Sequence, residues 1–108
     1  MTEIYDKNFD EEVLKKTSSL VLVDFSAAWC QPCKMMEPIL KNMEEKFKDK
    51  LIARKYDVER NCSIARKYGV TSLPCLILFS SGKILWTQDG LLTQTKLENK
   101  IQEFLFLT

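Results

Sequence analysis

Apolar residues change their spacing along this chain, and each change marks an element. Leu20-Val21-Leu22-Val23-Asp24-Phe25 is an unbroken apolar run carrying one carboxylate, the pattern of a central strand covered on both faces. From Cys33 the spacing turns helical: Met36, Ile39, Leu40, Met43 and Phe47 recur on one face, and Pro38 predicts a kink or a restart. Leu51 to Val58 predicts a second strand, and Ser63 to Tyr68 a short helix ended by Gly69. Cys75 to Phe79 and Lys83 to Thr87, separated by Ser80-Ser81-Gly82, predict an antiparallel hairpin. Thr93 to Leu105 predicts a closing helix that gathers Leu97, Ile101, Phe104 and Leu105 on one face. Ahead of all these, Asn8 to Lys16 predicts a short helix, acidic in its first half and rich in lysine at its end, as the helix dipole favours.

The order is therefore β-α-β followed by β-β-α, an α/β architecture with a mixed sheet and helices on both faces. The chain has 108 residues, 45% of them hydrophobic, enough for one compact domain spanning 1–108 that needs neither metals nor several disulfides for its core. Sixteen Lys and Arg against fifteen Asp and Glu leave a formal charge of +1, so nothing in the balance points to nucleic acid or an anionic membrane as a partner. Met1-Thr2-Glu3-Ile4-Tyr5-Asp6 has no basic and apolar leader pattern, and no apolar run reaches membrane-spanning length; a cytoplasmic location is the expectation.

The candidate chemistry is Trp29-Cys30-Gln31-Pro32-Cys33-Lys34, directly after the central strand. Open α/β sheets put their chemistry at this end of a strand. Two cysteines so spaced at the mouth of a helix can close a small ring, and the helix start aims unpaired N–H groups at the first sulfur, favouring its thiolate. Cys30 is accordingly the expected nucleophile. Cys33, one turn in and more shielded, is the expected resolving thiol. Pro32 suits the first helical position, where its missing N–H costs nothing, and Trp29 offers an apolar wall beside the attacking sulfur. A zinc site would need two further ligands, yet the chain has no histidine, and Cys62 and Cys75 are not spaced as a knuckle. A static structural disulfide fits poorly with a chain showing no export signal. Asp24, in a strand otherwise fit for the interior, reads as a buried carboxylate with its pKa raised by desolvation, or as a strand-end aspartate in water.

Val21 to Phe25, Ala27 to Lys34, Tyr68-Gly69-Val70, Leu73-Pro74 and Gly90 together resemble the thioredoxin family over essentially the whole length, with each motif in order. The resemblance implies the thioredoxin fold and a general protein disulfide reductase active in cell redox homeostasis. Its partners would be a thioredoxin reductase and disulfide-containing protein substrates, and the chain would act as a monomer with no bound cofactor, because the electrons travel as the dithiol itself. It makes Asp24 the proton relay for Cys33 and Lys55 the lysine that tunes it. It makes Pro74 a cis proline and Leu73 a residue offering its backbone to an extended substrate. The substrate-binding rim would be Trp29, Gln31, Pro32, Leu73, Pro74 and Gly90, with Leu91 beside it.

Three positions depart from the pattern. Gln31 stands where most thioredoxins have glycine, and residues between the cysteines help set the potential; about 30 mV is ~1.4 kcal/mol for a two-electron couple. Ser26 replaces a frequent second aromatic residue, removing one apolar prop. Cys75 follows Pro74 and brings a third sulfur near the site, where it reads either as a small buried hydrophobe or as an oxidisable thiol. Cys62, at a helix start, reads as partly exposed and open to a mixed disulfide. Trp86, Met35, Met36 and Met43 read as core or rim packing. Two rival functions remain open: a metal or iron–sulfur carrier bridged through Cys30 and Cys33, and a non-catalytic module that clamps a partner through the patch around Trp29 and Pro74. A specialised thiol relay is a further variant.

Overall fold

The computed structural model describes residues 1–107. Its elements are β1 (Thr2–Ile4), β2 (Leu20–Ser26), α1 (Gln31–Lys46), β3 (Leu51–Asp57), α2 (Ser63–Lys67), β4 (Cys75–Ser80), β5 (Lys83–Asp89) and α3 (Gln94–Leu107). The strands form one sheet in the order β1-β3-β2-β4-β5. β3 runs parallel to both β1 and β2, whereas β2–β4 and β4–β5 are antiparallel. The expected mixed α/β sheet is present, with its central strand where the unbroken apolar run lies.

All seven residues of β2 are buried, and alternation along the strand divides them between two cores. Val21, Val23 and Phe25 join Ile4, Phe9, Val13, Ala65, Ile77 and Phe79 on one face. Leu20 and Leu22 join Met36, Leu40 and Met43 of α1 and Leu97 and Ile101 of α3 on the other. Asp24 falls in the second set by parity, so its carboxyl points toward α1. On β3 the residue in register with it is Lys55.

Four findings depart from the expectations or go beyond them. The stretch from Asn8 to Lys16 is not an α-helix: a 3-10 turn at Asp6–Asn8 runs into a wide π-type turn at Asp10–Leu14. The Asn8 side chain accepts the Tyr5 N–H at 2.7 Å and tightens the first turn, and Lys15 N–H reaches back to Asp10 O at 2.9 Å. So short a segment cannot repay helix nucleation, and it bends to bury both Phe9 and Val13. Second, Thr2–Ile4 is a strand that three residues are too few to announce by alternation. Third, of the kink or restart expected at Pro38 the restart is absent, since the proline lies inside one continuous helix span; a mid-helix proline costs about 3 kcal/mol, which burial of Met36, Leu40 and Met43, at roughly 1.5–3 kcal/mol each, outweighs. Fourth, Pro32 is the second helical residue because the helix begins at Gln31. The second N–H also lacks an intrahelical partner, so the proline still costs nothing there.

The hairpin turns through Ser81 and Gly82, both at positive φ (48° and 82°), which matches the twist of a two-residue connection.

Candidate active site

The loop after β2 closes with Cys30 N–H donating to Ala27 O at 3.1 Å, and α1 starts at once. Cys30 caps that helix: its backbone is extended (φ −85°, ψ 108°) and its Sγ accepts the Cys33 N–H at 3.2 Å. A sulfur in this position takes a donor that the helix leaves unpaired, the local reason a thiolate would be held there. Cys30 and Cys33 are joined as a disulfide with their Cα atoms 5.3 Å apart. Each cysteine is 4% exposed, so the expected greater shielding of Cys33 does not exist in this oxidised state. What separates the two sulfurs is the helix, which points a donor at Cys30.

Around the ring, Trp29 stands 69% exposed and Gln31 and Pro32 are exposed as well. Ala27 and the two cysteines form a small cluster packed against Val58 and Leu73. The Leu73–Pro74 bond is cis. Gly90 N–H donates to Pro74 O at 2.8 Å, which ties the loop after β5 to the proline. Gly90 has φ +85°, a left-handed conformation that strains other residues. Leu91 follows it, 43% exposed.

Behind the ring is a cavity of about 230 Å³ lined by Asp24, Ser26, Ala27, Cys33, Glu37 and Lys55, with Ala28 and Lys34 at its margin. Asp24 and Ser26 are 1% and 2% exposed, and neither Asp24 Oδ1 nor Ser26 Oγ has a hydrogen-bond partner among the described residues. Burial pushes the Asp24 carboxyl up to about 7; Lys55 opposes that rise and Glu37 adds to it. Lys55 does not pair with Asp24. Its ammonium lies 3.7 Å from Glu37 Oε2.

Glu37 is the residue that pattern reading passes over. It looks like an ordinary surface charge of α1, but it lies four residues after Cys33 and so on the same helical face. That spacing was a signal in plain view. Ser26 entered the reading only as a missing aromatic prop, whereas it contributes a buried hydroxyl to the cavity.

Cys75 is buried and free, and burial followed by a hydrogen bond with Asp89 pushes its thiol up to about 12. It is therefore the buried small side chain of the two readings. Cys62 is free and half-buried at the start of α2. Met36 and Met43 are core, while Met35 is 51% exposed. No helix among the described residues is long and apolar enough to cross a membrane.

The thioredoxin family model matches residues 1–103. A thioredoxin of Buchnera aphidicola subsp. Acyrthosiphon pisum is 38% identical over 101 residues, covering 94% of this chain and 93% of that protein. One from Chlorobaculum thiosulfatiphilum is 36% identical over 103 residues, 95% of this chain and 94% of its own length. Thioredoxin Y, chloroplastic, of Oryza sativa subsp. japonica is 41% identical over 95 residues, 88% of this chain and 56% of its own length. Likeness sustained from β1 into α3, around a cysteine pair closed into a ring at a helix mouth, means that this chain belongs to the thioredoxin family.

Proposed function

We propose that Cys30 attacks the substrate disulfide, that Cys33 resolves the intermediate, and that Asp24, tuned by Lys55, takes the proton from Cys33. Thiol–disulfide oxidoreductase activity of the protein-disulfide reductase type follows from family and cysteine pair together; the assignment of roles rests on one observation, the Cys33 N–H donated to Cys30 Sγ. That donor favours negative charge on Cys30, and thiolate is the attacking form.

In the first step Cys30 thiolate bonds to one substrate sulfur and the other leaves as a thiolate. In the second, Cys33 gives its proton to the Asp24 carboxylate, its sulfur bonds to Cys30 Sγ, and the substrate leaves fully reduced. Two electrons pass from the dithiol to the substrate, and the protein is left as the disulfide. A carboxyl near 7 is suited to this transfer at neutral pH, because a general base works best with its pKa near the working pH. The cavity shared by Asp24 and Cys33 is wide enough for water to carry the proton.

The family works with thioredoxin reductase and disulfide-bearing substrates. We assign the same recharging partner to this protein, acting as a single-domain monomer in the cytoplasm. Trp29, Gln31, Pro32, Leu73 and Gly90, arranged around the buried cis Pro74, form the surface that receives the substrate: an exposed indole beside the ring and an apolar ledge across from it.

The decisive test is reduction of a disulfide-bonded protein by the Cys30→Ser and Cys33→Ser variants. Cys30→Ser should lose turnover entirely, and Cys33→Ser should accumulate a covalent mixed disulfide through Cys30. Retained turnover in Cys30→Ser would sink the assignment.

A further inference from the structure

Asp24, Glu37 and Lys55, three of the four charged side chains lining the cavity behind the dithiol, do not pair as strand register predicts. Asp24 and Lys55 face each other across β2 and β3, the arrangement in which a carboxylate and an ammonium normally join. Lys55 instead pairs with Glu37 of α1 at 3.7 Å, and Asp24 Oδ1 is left buried with no partner. Glu37 also lies 4.0 Å from Lys41, one turn further along α1. The Glu37 and Lys55 side chains are each 34% exposed, so their pair sits at the cavity's outer edge with Asp24 deeper in.

Resting on the redox reading above, we propose that Glu37 is a positioning residue of the dithiol centre: it holds the Lys55 ammonium as its own partner and thereby keeps Asp24 unpaired and able to exchange a proton with Cys33. The physical reasoning has two parts. An ammonium bonded to Asp24 would lock it as a carboxylate, and a carboxylate stabilised in that way is a poor proton acceptor. An ammonium drawn outward by Glu37 still lowers the cost of charge on Asp24 from a distance without trapping it. The other groups facing Asp24 do not supply a substitute. Lys34 of α1 also lines the cavity but is exposed, and the charges acting on Asp24 are those of Lys55 and Glu37. On the β4 side the register partner is the apolar Leu76, and the neighbouring Cys75 thiol carries the influence of Asp89 as well as Asp24.

The test follows the Asp24 carboxyl carbon by NMR across pH in the full-length reduced protein, comparing the native protein, Glu37→Gln, Lys55→Met and the double variant. Glu37→Gln should move the Asp24 midpoint down by on the order of one pH unit, as Lys55 turns to Asp24 and one negative charge is removed. Lys55→Met should move it up. In the Lys55→Met background, Glu37→Gln should have a much smaller effect, because no ammonium remains to be released. The rate of mixed-disulfide resolution should shift its pH inflection in step with the midpoint. Glu37→Asp, which keeps the charge, should restore most of the native midpoint.

An unchanged midpoint in Glu37→Gln would overturn the proposal. So would an equal shift with and without Lys55, which would make Glu37 a bare charge and not a positioning residue. Either result leaves the redox reading untouched, since that reading fails only if Cys30→Ser still reduces disulfides. Should Glu37→Gln fold poorly, Glu37→Ala read on the same carbon serves as the second variant.

Discussion

Asp6 and Asp24 lie on opposite faces of the same sheet, and their surroundings give them opposite characters. Asp6 accepts the Tyr56 hydroxyl at 2.6 Å, the Ile64 N–H at 3.0 Å and the Ser63 N–H at 3.1 Å. Burial alone would raise its carboxyl, but those donors hold it below the ordinary 3.8. It is thus a permanent anion that stitches the N-terminal turn to β3 and α2. Asp24 is more deeply buried, has an unpartnered oxygen and is pushed up to about 7. The lesson is that depth and donor count together decide whether a carboxylate is a strut or a proton carrier: half-buried Asp6 has donors that outweigh its desolvation, and fully buried Asp24 has none to offset the larger one. Asp6 has its oxygens answered, whereas the cavity behind the dithiol is lined by two buried oxygens, Asp24 Oδ1 and Ser26 Oγ, without a hydrogen-bond partner among the described residues.

Replacing each aspartate by asparagine puts the comparison at risk most directly, and Asp24→Asn should have the larger effect. In the folded protein the Asp24 carboxyl titrates near 7, against an unfolded value near 3.8, so the folded state holds the extra proton between those limits. Its contribution to stability is full below about pH 4 and is lost as pH rises through about 7. Asparagine cannot ionise. Asp24→Asn should therefore match the native protein near pH 4 and exceed it at pH 8 by up to ~4 kcal/mol, read by urea denaturation. Resolution of the mixed disulfide should slow by about 10²-fold in the same variant. Equal denaturation midpoints at pH 8 would mean that Asp24 is solvated after all.

Asp6→Asn should do the reverse on a smaller scale. The low carboxyl contributes stability above the unfolded value near 3.8 and loses it as pH falls through the folded one. The variant should be destabilised at pH 7 by about 1–2 kcal/mol through weakened charge-assisted hydrogen bonds, with disulfide exchange unaffected. A gain in stability would erase the distinction between strut and carrier.

The smallest effect concerns Cys75. Its thiol is pushed up to about 12 and should stay protonated and unreactive in the native protein. Iodoacetamide treatment of the reduced protein at pH 7, read by peptide mass, should label Cys30 and leave Cys75 unmodified. Prompt labelling of Cys75 would show that this side of the sheet opens more readily than its packing implies.

The helix face of α1, the hairpin and the position of the dithiol after the central strand were all legible, because each is encoded locally, by spacing and by turn residues. The N-terminal segment was misread for the opposite reason. The charge pattern of Asn8 to Lys16 suits a helix, but burial of Phe9 and Val13 bends it into two turns, and Thr2–Ile4, for which there was no expectation, becomes a strand by pairing with Arg54 to Tyr56, some fifty residues away; no local pattern records either. Glu37 was hidden for the same reason. Its spacing from Cys33 is readable, but the value of that position depends on Lys55 arriving from β3.

By itself the sequence determined the order of elements from β2 onward, the cysteine pair at a helix start, and the presence of a carboxylate in a strand meant for the interior. All of these follow from covalent neighbours and periodicity. Only the tertiary structure decided that Lys55 pairs with Glu37, that Asp24 and Ser26 share a cavity with Cys33, and that Asp6 finds three donors while Asp24 Oδ1 finds none. Solvation and electrostatic partnership depend on the distances between groups far apart in the chain, and folding sets those distances.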